Sequence, residues 1–320
     1  MIDVRGVTKR YGDKVAVRNL SFTVKPGVVT GFLGPNGAGK STTMRIIAGL
    51  DAPTAGSVSV NGRSYAHTTA PMAELGILLE AQAVHTSRSA FHHLLALAQT
   101  NGVPRSRVDE VIELVGLREV AKKRVGGFSL GMGQRLGVAS ALLGNPRTVV
   151  LDEPVNGLDP EGIRWVRTLL KQLAAEGRTV FVSSHLMSEM ALTAEHLIVV
   201  GRGKLIADTS VGAFVAQASS NVVTVRSPQA SELRDLLAGP GVTVTGTTTD
   251  ELQVHGKTAE QIGDIAFDNR VRVHKLSMRE ASLEEAFMEL TRDAVEYHAT
   301  TAEERTAERQ SAAAATGDQL

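Results

Sequence analysis

No cysteine occurs in this chain of 320 residues. Disulfides, cysteine-ligated zinc and a thiol nucleophile are therefore excluded, and the composition fits a reducing compartment. An excess of one charge is absent too, since 34 Lys and Arg balance 34 Asp and Glu. That balance argues against a nucleic-acid protein held by bulk electrostatics. No stretch approaches the roughly 18 uninterrupted apolar residues that a spanning helix needs. Work at a membrane would require another polypeptide to cross it. The opening MIDVRGVTKRYG meets Asp3 and Arg5 early and has no apolar run, which reads against a signal peptide. What is present is globular material, 42% hydrophobic. The length exceeds that at which one core usually stops growing, so two domains are expected.

Strand and helix signals interleave over the first two thirds of the chain. VRNLSFTVKPG alternates like a strand, and VVTGFL is a short buried-strand run. GPNGAGKST follows, then TMRIIAGL with Met44, Ile47 and Leu50 at helical spacing. GSVSVNGRS carries an Asn-Gly turn at 61 and 62, a hairpin signal. Residues 88–126 are expected to be mainly helical. TVVLDEP and RTVFVSSH read as strands, with a helix from about Glu161 to Ala175 between them, capped by Asp159 with Pro160 in its first turn. HLIVVGRGKLIAD reads as one last strand. The pattern predicts an α/β fold with parallel strands and a helical insert. From about 220, six segments from NVVTVRS to VRVHKLS read as β-α-β-β-α-β, a ferredoxin-like order. SLEEAFMELT opens with a capping box, Ser282 and Glu285. The tail from about His298, rich in Ala, Thr, Glu and Arg, is expected to be frayed or disordered.

Gly34 to Ser41, GPNGAGKS, fits G-x-x-x-x-G-K-[ST] between a strand and a helix. Gly34, Gly37 and Gly39 allow a turn whose amides point inward at phosphate oxygens. Lys40 can reach the β- and γ-phosphates, and the Ser41 hydroxyl can ligate Mg²⁺. TVVLDEP places Asp152 and Glu153 at a strand end, the edge where open α/β sheets bind ligands. One acid can hold Mg²⁺ while the other orients and deprotonates water. The bland alternative is a pair of surface acids. His185 ends another such strand. It can contact the γ-phosphate or simply cap the strand, and taken alone the second reading is simpler. Tyr11 can stack on adenine, or be a half-buried core tyrosine, which composition alone favours.

GPNGAGKST, FSLGMGQR, LDEPVNGLDP and SSH, in this order, resemble the nucleotide-binding subunit of an ATP-binding cassette (ABC) transporter over residues 1 to about 215. The resemblance implies a P-loop NTPase cassette, with a mixed sheet flanked by helices and a helical subdomain at about 85–145. A small C-terminal α+β domain follows at 216–297, and a disordered tail at 298–320. It implies ATP and Mg²⁺ as cofactors. Gly34, Pro35, Asn36, Gly37, Ala38, Gly39, Lys40, Ser41 and Thr42 would hold the phosphates, and Tyr11 the base. Glu153 would be the general base, His185 the switch histidine, and Ser41 and Asp152 the metal ligands. FSLGMGQR corresponds to the signature loop, so Ser129 and Gly131 would bind the γ-phosphate of ATP held by a second copy of the chain, with Asp159 at the dimer seam. A signature loop at a helix start is also a natural anion site, because MGQRLGVASALLG places Met132, Leu136, Ala139 and Leu143 on one helical face.

Two positions depart from the usual family pattern. Leu130 replaces a glycine, and would be strained if the backbone there needed positive φ. The resulting SLGM resembles a variant found in drug and antibiotic exporters. The glutamine expected near GILLEAQ aligns with Glu80, which can ligate Mg²⁺ or polarise water but cannot donate as an amide; Gln82 is the rival alignment. The C-terminal segment resembles the extension of bacterial exporter ATPases, whose separate permease does the spanning. The expected protein is thus an ATPase at the cytoplasmic face of the cell membrane. It would energise export of a drug, antibiotic or lipid-like molecule, with a permease and a second copy of itself as partners and no nucleic acid. A chromosome or ribosome ATPase is the rival class, but no long heptad arm and no second cassette are present. A regulator without turnover is a third reading, and the presence of Glu153 argues against it.

Overall fold

The computed structural model describes residues 1–65, 68–79, 84–218, 222–246, 248–279 and 282–291. Its centre is a six-stranded sheet of β3 (Val29–Leu33), β5 (Leu75–Leu78), β6 (Thr148–Leu151), β7 (Thr179–Ser183), β8 (His196–Gly201) and β9 (Lys204–Ser210) in the order β5-β6-β7-β3-β8-β9. The first five are parallel, and β9 returns antiparallel to β8. Every residue of β3, β6 and β7 is buried. That explains their continuous apolar runs, since a parallel sheet is covered on both faces.

The two faces alternate along each strand. Phe32, Val150, Phe181 and Ile198 point to a core shared with β1 (Ile2–Tyr11), β2 (Lys14–Val24) and α1 (Lys40–Ile47). Phe22, Phe32 and Phe181 meet there with ring centroids 5.0–5.8 Å apart. β1 lies between β2 and β4 (Ala55–Val60) in a separate antiparallel sheet. Leu33, Val149, Leu151, Val182 and Val199 point the other way, to a core built with helices. Those helices include α3 (Ala90–Thr100), α4 (Arg105–Leu114), α5 (Leu130–Leu142), α6 (Pro160–Ala175) and α7 (Met187–Thr193); the short α2 (Pro71–Glu74) precedes β5. Asp159 caps α6, with Pro160 its first residue, as expected.

One expectation is corrected. HLIVVGRGKLIAD is a hairpin, not one strand, because Arg202 (φ 47°) and Gly203 (φ 74°) both take the left-handed conformation of a tight two-residue turn. Arginine is a weak signal for that conformation, so the turn was hidden. The antiparallel β9 makes the sheet mixed, as the family resemblance implied. Asn61 (φ 52°) and Gly62 (φ 83°) do form the expected turn, closed by a single bridge between Val60 and Arg63.

After α8 (Val211–Ala218) the chain builds β10 (Val222–Arg226), α9 (Ala230–Leu237), β11 (Thr243–Gly246), β12 (Glu251–His255), α10 (Ala259–Asp268) and β13 (Lys275–Arg279). The strands lie in the order β11-β12-β10-β13 with all neighbours antiparallel. They have their own core, including Val223, Leu233, Leu252, Val254 and Ile262. α11 (Leu283–Thr291) then packs elsewhere: Leu283, Ala286 and Phe287 join the cassette core together with Met190 of α7 and Phe214 of α8. Its capping box is formed, with the Ser282 N–H donating to Glu285 Oε2 (2.9 Å) and the Glu285 N–H to Ser282 Oγ (3.1 Å). The expected disordered tail lies outside the described residues.

Candidate active site

Parallel pairing brings the C-terminal ends of β3, β6 and β7 to one edge of the sheet, and the chemistry-bearing loops leave from there. The loop after β3 turns through Gly37 (φ 80°) and Gly39 (φ 95°) into α1. A Cβ at Gly39 would stand 2.6 Å from the Ala16 carbonyl oxygen, and one at Gly34 2.4 Å from that of Val200. Neither position tolerates a side chain. The loop is also braced from outside, since the Gly203 N–H donates to the Ala38 carbonyl (3.1 Å). Lys40 Nζ donates to the carbonyls of Gly34 (2.5 Å) and Pro35 (3.2 Å). Burial pushes the Lys40 ammonium below the usual lysine range, against the pull of Glu153 and Asp152.

The two acids are tied to this loop. Ser41 Oγ donates to Asp152 Oδ2 at 3.1 Å. Ser183 Oγ donates to Asp152 Oδ1 and accepts the Glu153 N–H at 3.0 Å. Glu153 has φ 49°, a left-handed conformation that costs an L-residue about 1–2 kcal/mol. Its carbonyl accepts from Gln134 Nε2 at 3.0 Å. Its carboxylate meets His185 twice, through Nδ1 at 2.8 Å and the backbone N–H at 3.3 Å. Lys40, Ser41, Asp152, Glu153 and His185 thus converge. The oxygens of Ser41 and Asp152 suit Mg²⁺, a hard cation that takes one or two carboxylates together with phosphates and water. Among the described residues no cluster of three or more His, Asp or Glu forms a dedicated metal cage. Glu80 and its rival Gln82 lie outside the described residues.

Ser129, Gly131 and Asp159 form a second group. Ser129 caps α5, its Oγ accepting the Met132 N–H (3.2 Å), and Asp159 Oδ1 accepts the Gly162 N–H (2.9 Å) at the start of α6. Leu130 is the first residue of α5 and is free of positive φ, so the strain considered from sequence does not arise. Tyr11 ends β1 and is exposed at the surface, outside the hydrophobic core. Its hydroxyl donates to Asp51 Oδ2 (2.9 Å), and Lys9 Nζ lies 4.9 Å from the ring centroid. Arg45, with help from the Tyr11 phenol, holds the Asp51 carboxyl below its usual range.

The family profile described as ABC transporter matches residues 17–156. The chain is 35% identical over 295 residues to "Uncharacterized ABC transporter ATP-binding protein YhcH" of Bacillus subtilis, covering 91% of this chain and 96% of that protein. The chain belongs to the ABC transporter family. It is an ATP-binding subunit and an ATPase. Another relative of this ABC subunit is "Bacitracin transport ATP-binding protein BcrA" of Bacillus licheniformis, 34% identical over 305 residues, covering 91% of this chain and 97% of that one. A solved structure, the ATP-binding cassette MJ0796 as a dimer in a post-hydrolysis state with ADP and Pi, superimposes with a TM-score of 0.60 at 26% identity, covering 66% of this chain and 98% of that one. A second profile, "Domain of unknown function (DUF8746)", matches residues 221–284.

Sequence reasoning missed three residues that shape this ABC site: Ser183, Gln134 and Gly203. Ser183 was visible as the middle of FVSSH, but only the fold shows that its hydroxyl lies between both acids. Gln134 is 18 positions from Asp152 in sequence and carries no motif signal of its own for Glu153. Gly203 reads as turn material until its amide is seen on the phosphate loop.

Proposed function

We propose that this ABC subunit hydrolyses ATP to drive export of a small molecule, a drug, antibiotic or lipid-like compound, through a separate membrane permease. The bond between Glu153 and His185, 2.8 Å long and beside Lys40, carries the reading. It supplies a carboxylate base held in place by an imidazole that can register the γ-phosphate. The loop from Gly34 to Thr42 and Lys40 hold the phosphates. Ser41 and Asp152 would hold Mg²⁺, which when bound neutralises charge on the phosphate oxygens. Glu153 accepts the proton of the water that attacks the γ-phosphorus. Tyr11 offers its exposed ring to the adenine, and Glu80 takes the Q-loop position.

Two copies of the chain sandwich two ATP molecules, with Ser129 and Gly131 of one copy on the γ-phosphate held by the other and Asp159 at the seam. The MJ0796 dimer supports that arrangement, the bacitracin-transport relative supports transport of such cargo, and a relative named "Nod factor export ATP-binding protein I" supports the outward direction. No described helix is long and apolar enough to cross a membrane. In this reading a permease spans the membrane and this subunit sits on its cytoplasmic face. Residues 1–218 together with α11 serve as the cassette and 222–279 as an accessory domain, so the boundaries read from the sequence, 1–215 and 216–297, shift because α11 packs on the cassette.

Glu153→Gln tests the reading. Its turnover should fall by about 10²–10⁴-fold while ATP binding persists and a dimer accumulates in sedimentation. Hydrolysis at the wild-type rate would overturn the base assignment. A chain that neither binds nor is stimulated by a permease encoded beside it would overturn the transport assignment.

A further inference from the structure

His185 meets the Glu153 carboxylate through both its ring and its backbone N–H. The direction of that carboxylate therefore depends on where the backbone at 185 is held. Two braces act on it. Ser184 Oγ accepts the Leu186 N–H (3.0 Å), a turn that straddles His185 and ends where α7 begins. α7 is in turn tied to α6 by an ion pair, Arg167 Nη2 to Glu189 Oε2 at 3.6 Å, with each side chain only 25% exposed.

At that distance the pair attracts but is too long for a hydrogen bond. Glu189 Oε2 is buried and has no hydrogen-bond partner among the described residues. A buried charged acceptor is costly unless something donates to it. Beside it lies a cavity of about 20 Å³, lined by Arg167 and Glu189, by Pro154 and Val155, and by Ser183 and Ser184 among others. Pro154 follows Glu153 and Ser184 precedes His185, so the cavity backs directly onto the base and its histidine. It has room for one water molecule and nothing larger. Its polar wall suits one. The Ser183 hydroxyl is committed, since it donates to Asp152. Ser184 is 3% exposed, and its Oγ accepts from Leu186 while its own proton goes to no described acceptor.

We propose that a single water fills this cavity, accepting from the Ser184 hydroxyl and donating to Glu189 Oε2, and that Glu189 and Arg167 are positioning residues for His185. Glu189 lies one helical turn beyond His185. Through the water it pins the turn that carries His185, and Arg167 pins Glu189 to α6. No step passes through the water itself; its work is to keep the His185 N–H and ring on Glu153. This rests on the reading of Glu153 as the general base.

The test is MgATP hydrolysis by the full chain, with kcat expressed per chain that binds ATP. Glu189→Ala should lower kcat about tenfold, part of the roughly 10²–10⁴-fold that a placed base contributes. KM and the Kd for ATP should stay within about twofold, because neither residue reaches the phosphates. Glu189→Gln keeps an oxygen that can accept from the water and should recover most of the loss. Arg167→Met should lower kcat as well, and should add nothing to Glu189→Ala. The decisive comparison is with His185→Ala. If Glu189 acts through His185, Glu189→Ala should cost nothing more in that background, measured under single turnover. A merely structural role would reduce the number of binding-competent chains and would multiply with His185→Ala. A high-resolution crystal structure of the wild type should show one water within about 3 Å of both Ser184 Oγ and Glu189 Oε2. Normal kcat in Glu189→Ala, equal loss in the Ala and Gln variants, multiplicative effects with His185→Ala, or a dry cavity would overturn the inference. Glu153→Gln in the same assay separates the two claims. Wild-type turnover in that variant sinks the base assignment, whereas slow Glu153→Gln beside normal Glu189→Ala sinks only the positioning role.

Discussion

Ser183→Ala isolates how much of the site depends on one hydroxyl. Ser183 is fully buried at the end of β7, and its Oγ serves both acids at once. Removing it deletes a hydrogen bond to the Asp152 carboxylate and orphans the Glu153 N–H. A bond to a charged group contributes about 1.5–3 kcal/mol, and a buried unsatisfied donor costs about 1–3 kcal/mol. The two terms share one atom and do not add fully, so about 2–4 kcal/mol is expected. Asp152 keeps its bond to Ser41, which sets the upper end of that range. Urea unfolding followed by the single tryptophan measures the loss, because Trp165 lies in α6 and reports on the cassette. The midpoint should fall by about 1 M for a slope of about 2–3 kcal/mol/M. Ser184→Ala is the control one residue away. Its Oγ accepts only the Leu186 N–H (3.0 Å) among the described contacts, and its removal should cost about 1 kcal/mol. Turnover should separate the two variants further, since only Ser183 fixes the backbone of Glu153. Equal destabilisation by the two alanines, or normal turnover by Ser183→Ala, would refute the reasoning.

Two further predictions follow from packing and exposure. Phe287→Ala, in α11, should lower cassette stability by about 3–5 kcal/mol in thermal unfolding, because the ring is buried in the cassette core; Met288→Ala, next to it but exposed, should stay within about 0.5 kcal/mol. Tyr11→Ala should raise the Kd for ATP by roughly tenfold, the loss of one base–aromatic stack of about 1–3 kcal/mol. Tyr11→Phe should bind nearly as well as the wild type, and tripolyphosphate binding should be unaffected by either change. Equal ATP affinity in Tyr11→Ala would remove Tyr11 from the site.

The phosphate loop, the two strand-end acids and the strand-end histidine were legible because each is a local pattern in a local context. A run such as TVVL followed by Asp152 and Glu153 states both its burial and its exit edge. The caps of α6 and α11 were legible for the same reason, as short-range hydrogen-bond signals. What was hidden depends on pairing at long range. The antiparallel sheet around β1 was missed because MIDVRGVTKRY mixes charge with short apolar residues. The β8–β9 turn was missed because Arg202, not Asn, Asp or Gly, takes the first of its two left-handed positions. Ser183 and Gln134 carry no pattern that tells which atoms they will meet.

α11 shows the same limit with a larger consequence. Its start was readable, but an apolar stripe of Leu283, Ala286 and Phe287 fits either core equally well on sequence grounds. The composition shift near residue 220 assigned that stripe to the accessory domain. In space it closes on α7 and α8, so the four-stranded domain at 222–279 is bracketed by two helices of the cassette side. The domain is therefore an insertion between α8 and α11 rather than a unit hung on the end. Ending the chain after α8 would strip Leu283, Ala286 and Phe287 from the core that also holds Met190, five residues beyond His185. Loss of activity in such a truncation would then report damage to the cassette itself. Only variants inside 222–279 that leave α11 in place can show what the accessory domain does.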